Sequence, residues 1–158
     1  MPPKEPKWLN PREMKAWRSY IIASRRLLEA LDSDLEGHDL TMADYEVLAQ
    51  LSDAPDRRLR MSELAEIAMI SKSRLSHRMK VMEKAGWVRR ETCPEDKRGY
   101  FAIMTEKGWR AIVKAAPSHV ESVRKRFVDN LTVKDQEELA KIFDRVTIKL
   151  RDQYLNNL

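Results

Sequence analysis

Apolar residues recur at helical spacing along most of this chain and divide it into helical segments, with one short extended stretch after the fourth. The first segment opens at Asn10-Pro11-Arg12-Glu13. Asn10 is a capping residue, Pro11 suits the first helical position, and Glu13 stands where a capping box needs its carboxylate. Leu9 and Met14 are placed to close a hydrophobic staple. Met14, Trp17, Ile21, Leu28, Leu31 and Leu35 keep a three-to-four spacing, broken only by Ser24, until Gly37. This predicts one helix of about seven turns. Thr41 with Asp44 marks a second start, and Tyr45, Leu48 and Leu51 form its buried stripe. Residues 52–58 then read as a proline-containing loop.

Residues 62–68 and 71–85 read as two further helices, with only Met69 and Ile70 ahead of the capping Ser71. That is the spacing of a helix-turn-helix. Gly86 ends the second of them. Residues 87–93 and 100–104, rich in aromatic and branched side chains, flank a polar loop at 94–99 and predict a β-hairpin, or wing. Thr105 starts a long helix with Trp109, Ile112, Ala116, Val120, Val123 and Phe127 on one face and a kink expected near Pro117. Leu131 and Thr132 open a last helix striped by Leu139, Ile142, Phe143, Val146, Leu150 and Tyr154.

A length of 158 residues fits one domain. No apolar run approaches the ~18 residues of a membrane span, and the first seven residues lack the apolar stretch of a signal peptide, so a cytoplasmic protein is expected. The single cysteine, Cys93, leaves no internal disulfide and no thiolate metal cluster. No cofactor or metal is called for. His38, His77 and His119 stand far apart, and neither a Ser-His-Asp arrangement nor a P-loop is present, so the chain does not read as an enzyme.

The net charge of +5 favours an anionic partner only weakly, but its distribution is sharper. Residues 27–56 hold nine acids and no Lys or Arg, whereas residues 57–90 hold ten bases against three acids. Positive charge is concentrated around the fourth helix.

On a helical wheel Leu75, Met79, Met82 and Gly86 share one sector with Ser71, while Ser73, His77, Lys80 and Lys84 lie opposite. Lys72 and Arg74 occupy the first turn, where the helix dipole disfavours a cation by roughly 0.3–1 kcal/mol. An external anion removes the objection: phosphates take the free backbone N–H groups while Lys72, Arg74 and Arg78 neutralise them. Ser73, Arg74, His77 and Lys80 are also suitable to reach base edges in a major groove. In the loop that follows, Asp96, Lys97 and Arg98 form a second basic feature. Arg98 is suited to a minor groove, held by a carboxylate–guanidinium bond to Asp96. The plain alternatives are a solvated basic helix face and an ordinary hairpin turn.

At this point the chain resembles the MarR family of winged helix regulators over nearly its whole length. The matching stretches are Leu40-Thr41 with Tyr45-Glu46-Val47-Leu48, Met61-Ser62-Glu63-Leu64-Ala65, Ser71-Lys72-Ser73-Arg74-Leu75-Ser76 and Met82-Glu83-Lys84-Ala85-Gly86-Trp87-Val88. More specific is Asp96-Lys97-Arg98 followed by residues 100–104 and Thr105-Glu106-Lys107-Gly108. Met69, where the family often has glycine, and Gly99, where a small polar residue or alanine is frequent, depart from the pattern. The resemblance implies a mainly α fold with a small β-hairpin wing: a winged helix-turn-helix lobe over 40–104, with dimerisation helices over 10–37 and 105–156. It implies that residues 71–80, Ser76 among them, probe the major groove and that Arg98 probes the minor groove. Regulation of transcription by promoter occupancy follows.

The stripes of the first, fifth and sixth helices exceed what one thin layer can bury, which predicts a homodimer. A dimer would read an approximate inverted repeat in double-stranded DNA, with half-sites about one helical turn apart. The resemblance further suggests a small-molecule effector site walled by Trp17, Tyr20, Tyr45 and Trp109, although plain core is the more ordinary place for each of them. Cys93, near Arg89 and Arg90, is readable as a redox thiol or as an incidental strand residue. The rival reading of the whole is a winged helix whose basic face docks an acidic protein partner.

Overall fold

Local capping chemistry sets the boundaries of the helices. The computed structural model describes residues 5–94 and 96–155, with the side chains of Lys97, Arg98 and 151–155 outside the described set. Helix α1 (Pro11–Glu36) begins with the expected capping box, in which Asn10 Oδ1 accepts from the Glu13 amide at 2.9 Å and Glu13 accepts from the Asn10 amide at 2.9 Å. Helix α2 (Met42–Asp53) repeats the device with Thr41 and Asp44. Helix α3 (Met61–Ile67) and helix α4 (Lys72–Ala85) follow, the latter capped by Ser71 Oγ on the Arg74 amide at 3.3 Å. Gly86, at φ 79°, stops α4 in the left-handed conformation that glycine adopts without strain.

The four-residue turn between α3 and α4, residues 68–71, needs that same conformation, and Met69 supplies it at φ 53°. A side chain in that region costs roughly 1–2 kcal/mol, so the departure from glycine noted in the sequence alters the energy of the turn and not its shape.

The expected hairpin is a three-stranded sheet of order β1-β3-β2. Strand β2 (Val88–Cys93) pairs with β3 (Asp96–Met104), and β1 (Arg58–Arg60) adds on the other edge of β3 with Leu59 opposite Ala102. Two expectations are corrected here. Arg58, the last residue of the expected loop, is strand, and β3 begins at Asp96, inside the stretch expected to be loop. The first segment alternates only once, at Leu59 between two arginines, and the second opens on the charged Asp96 and Lys97; the β3 ladder supplies the pairing that the side chains barely advertise.

Helix α5 (Glu106–Arg126) and helix α6 (Val133–Leu155) complete the order. Thr105 begins α5 by accepting the Gly108 amide at 3.1 Å and donating its hydroxyl to the Gly86 carbonyl at 2.7 Å, and Thr132 with Asp135 begins α6. The chain forms two compact units, one ending at His119 and the other starting at Val120. The core of the first unit gathers Leu35, Leu40, Leu48, Leu51, Leu64, Leu75, Met79, Met82, Val88, Ala102 and Ile112. The α1 stripe divides: Leu31 and Leu35 are buried, whereas Trp17 and Leu28 are half exposed.

Gly108 sits where the backbone of α5 passes the turn after α4. A Cβ there would lie 2.1 Å from the Trp87 carbonyl oxygen, whereas one on Gly37 would meet nothing within 4 Å. We expect Gly108→Ala to destabilise the protein by more than about 2 kcal/mol, in the range of overpacking against fixed atoms. Gly37→Ala should leave stability within about 1 kcal/mol of the parent. Urea denaturation of the two variants checks both; equal midpoints would refute the close approach.

Candidate nucleic-acid interface

Helix α4 is divided lengthwise by burial. Leu75, Met79 and Met82 are fully excluded from solvent, while Lys72, Ser73, Arg74, His77, Lys80, Val81 and Lys84 are exposed. The buried side decides which face of the helix turns inward, so the basic band is presented outward as the wheel predicts. Ser71 and Ser73 exchange a hydrogen bond at 3.1 Å across the first turn, and Ser76 is half buried at the edge. At the other end Lys107 Nζ donates to the Ala85 carbonyl at 2.6 Å, a cation where the helix dipole welcomes one.

The surplus of bases in residues 57–90 is not all available to a partner. Arg90 makes a two-pronged bond to Glu83 at 2.9 and 2.7 Å, which raises its pKa above the ordinary arginine value. Arg89 pairs with Glu91, and Arg57 pairs with Glu106 at 2.8 Å while lying 4.0 Å over the Trp109 ring. Arg78 Nη1 reaches Asp44 at 3.2 Å. Lys72, Arg74, Lys80 and Lys84 have no ion pair among the described residues. All four lie on α4, and two of them stand in its first turn.

The wing projects from the same unit. Cys93 pairs with Asp96 across its tip, with a register irregularity between Thr92 and Cys93. Lys97 and Arg98 belong to β3 by their backbone, and the expected bond from Asp96 to Arg98 falls on a side chain outside the described residues. Gly99 needs no positive φ; a Cβ there would stand 3.1 Å from Asp96 Oδ2. Sequence reasoning missed the cationic edge of the sheet, where the guanidinium of Arg58 lies 3.8 Å over the Phe101 ring and that of Arg60 lies 5.4 Å from it. The alternation Arg58-Leu59-Arg60 is the one signal that could have found it. Val81, exposed beside the basic band, was also missed.

The four proposed wall residues fall into two pairs, Trp17 with Tyr20 on α1, and Tyr45 and Trp109 packed against the core. Trp17 and Tyr20 are half exposed on α1, 6.2 Å apart. Tyr45 stacks on His119 at 4.2 Å, and Trp109 lies under Arg57. None of them lines the hollow along α1 from Pro11 to Arg26 or the apolar one between Phe127 and Phe143. Cys93 is 3% exposed, so it lacks the access that a reactive thiol requires, and both nearby arginines are engaged with glutamates. Among the described residues no cluster of His, Cys, Asp and Glu is placed to hold a metal, and no helix is long and apolar enough to cross a membrane.

Two helices joined by a tight turn, the second presenting unpaired cations, with a strand pair behind it and a third strand on its edge, define a winged helix-turn-helix protein. The MarR family model matches residues 38–99. The transcriptional regulator HosA of Escherichia coli O111:H- is 34% identical over 99 residues, covering 63% of this chain and 71% of that protein. AbsC, a MarR family transcriptional regulator from Streptomyces coelicolor, superposes with a TM-score of 0.90 at 46% identity over 93% of this chain and 99% of that one. Another MarR family regulator from that organism, solved in complex with DNA, gives 0.88 at 45% identity over 90% of each chain. The chain belongs to the MarR family of transcriptional regulators.

Burial lowers the pKa of His119, and the nearby charge of Asp34 opposes that shift. The unfolded chain therefore binds a proton that the folded chain resists, and stability rises with pH through the window just below the ordinary histidine value of about 6.5. We expect stability to fall as pH drops from about 7 to 5, and His119→Phe, which keeps a ring against Tyr45, to make that fall shallower. Urea midpoints at several pH values decide it; an unchanged pH slope in the variant would refute the assignment.

Proposed function

We propose that this chain regulates transcription by binding double-stranded DNA as a homodimer at an approximate inverted repeat. In this reading residues 40–104 form the DNA-binding lobe, and the helices over 10–37 and 105–156 pair two copies. Helix α4 enters the major groove, with Lys72 and Arg74 on phosphates and Ser71, Ser73, Ser76, His77 and Lys80 near base edges. The wing lies along the minor groove with Asp96, Lys97 and Arg98. The observation that carries the reading is the pair of unpaired cations in the first turn of α4. The helix dipole opposes them there unless an anion binds across the free amides. A relative at 45% identity solved with DNA supports it.

Pairing is supported by apolar surface. Helix α1 exposes Trp17, Tyr20, Ile22 and Leu28, and α6 exposes Val133, Ile142, Val146, Ile148 and Leu150, more than isolated surface residues account for. Sedimentation velocity should give a mass of two chains at micromolar concentration; a monomer at every concentration would refute the pairing.

Binding to random-sequence duplex over a salt series tests the DNA reading. The affinity should fall steeply, with a log–log slope of about −0.9 for each phosphate neutralised. Lys72→Ala and Arg74→Ala should each make the slope shallower by about two, one for each copy in the dimer. Arg98→Ala should weaken binding without lowering the melting temperature. A response independent of salt, or no binding, would favour a basic face that docks an acidic protein surface.

A further inference from the structure

Arg78 belongs by sequence to the cations of α4, yet its guanidinium is turned to the start of α2. Nη1 donates to Asp44 Oδ1 at 3.2 Å and lies 3.3 Å from Thr41 Oγ1. We infer that Arg78 is a positioning residue for DNA recognition and not a phosphate contact: its ion pair with Asp44 sets the rotation at which α4 presents Lys72, Arg74 and His77. The inference rests on the reading of α4 as the DNA-binding helix.

The partner carboxylate cannot easily release it. Asp44 has a side chain only 5% exposed. Its Oδ2 accepts from the Thr41 amide at 3.1 Å and from the Thr41 hydroxyl at 2.6 Å, closing the α2 capping box. Its Oδ1 is left to Arg78. Drawing the guanidinium away to a phosphate would strand a buried negative charge, which is costly even when the intact pair adds little to stability.

Placement gives the pair its leverage. Leu75, Met79 and Met82 hold α4 against the core through non-directional contacts, which resist withdrawal better than small rotations about the axis. Arg78 lies at the margin of that buried face, one turn beyond Arg74, and its charged hydrogen bond is directional. The anchor is itself secured, because the Met42 amide at the start of α2 donates to Asp32 Oδ1 of α1 at 2.5 Å. A continuous tie runs from α1 through the first turn of α2 to the middle of α4.

The test compares the full chain with Arg78→Met, Asp44→Asn, the double variant and Lys72→Ala, each checked for folding by thermal melting. Binding is measured over a salt series on random-sequence duplex and on a genomic fragment that the wild-type chain selects. Arg78→Met and Asp44→Asn should each weaken fragment binding about tenfold, and the double variant should be no worse than either. Neither should change the salt slope, whereas Lys72→Ala makes it shallower by about two, one for each copy in the dimer. A shallower slope for Arg78→Met overturns the inference, and so does tighter binding by Asp44→Asn, which would mean that the freed guanidinium reaches phosphate. Should Arg78→Met fail to fold, Arg78→Lys, which keeps one charged donor, must bind the fragment more weakly at an unchanged slope; a shallower slope or wild-type affinity overturns the inference. Wild-type chain that binds neither duplex overturns the DNA-binding reading and this inference with it. Wild-type binding that Arg78→Met and Asp44→Asn leave intact overturns this inference alone.

Discussion

Burial of one side of α4 is the constraint on which the rest of the first unit depends. Leu75, Met79 and Met82 are excluded from water completely, and each such side chain contributes roughly 1.5–3 kcal/mol relative to exposure. The cations in the first turn oppose the helix dipole by only about 0.3–1 kcal/mol each. Burial therefore decides the orientation, and Lys72 and Arg74 are carried to the surface whether or not an anion is present. Helix α3, the sheet and the start of α5 supply the apolar surface that makes this possible, and the turn after Gly86 is fastened by Thr105 and Lys107.

Ion pairing then selects which cations face outward unengaged. Arg57, Arg78, Arg89 and Arg90 come from the same basic stretch as Lys72 and Lys80, but each has a glutamate or aspartate within reach. The exposed pairs of Arg57 and Arg89 add little to stability. The effect of the four pairs is spatial: they neutralise charge on β2 and on the side of α4 toward α2, and leave the outer face of α4 cationic. Charge counted along the sequence overstates what a partner would meet, and the pairing pattern says where the remainder lies.

Helices and their starts were legible because capping is a local code. Asn10 with Glu13 and Thr41 with Asp44 each place side chain and amide within one turn, so spacing in the sequence is spacing in the fold. What was not legible depends on partners distant in sequence. Strand β1 exists because Arg58, Leu59 and Arg60 meet β3 more than forty residues later. Arg78 looks like its neighbours on α4 until Asp44, 34 residues earlier, is found beside it. The surroundings of the four aromatic residues and the burial of Cys93 in its strand are likewise set by distant packing and cannot be read from neighbouring residues.

Periodicity has a further limit, visible along α1. Its apolar spacing runs from Met14 to Leu35 with Ser24 the one interruption, yet only its last turns enter the core of the first unit, while Trp17 and Leu28 remain half exposed. A helical stripe records that a face is to be removed from water; it does not record which surface will cover it. The same holds for α6, whose stripe from Leu139 to Leu150 is largely exposed. A stripe that the chain's own core does not consume is a physical reason to look for a second copy, and it stands apart from the chemistry of α4. In the proposed reading assembly and DNA contact would rest on different residues, so a change in one need not disturb the other except where a tie such as Asp32, Asp44 and Arg78 joins α1 to α4.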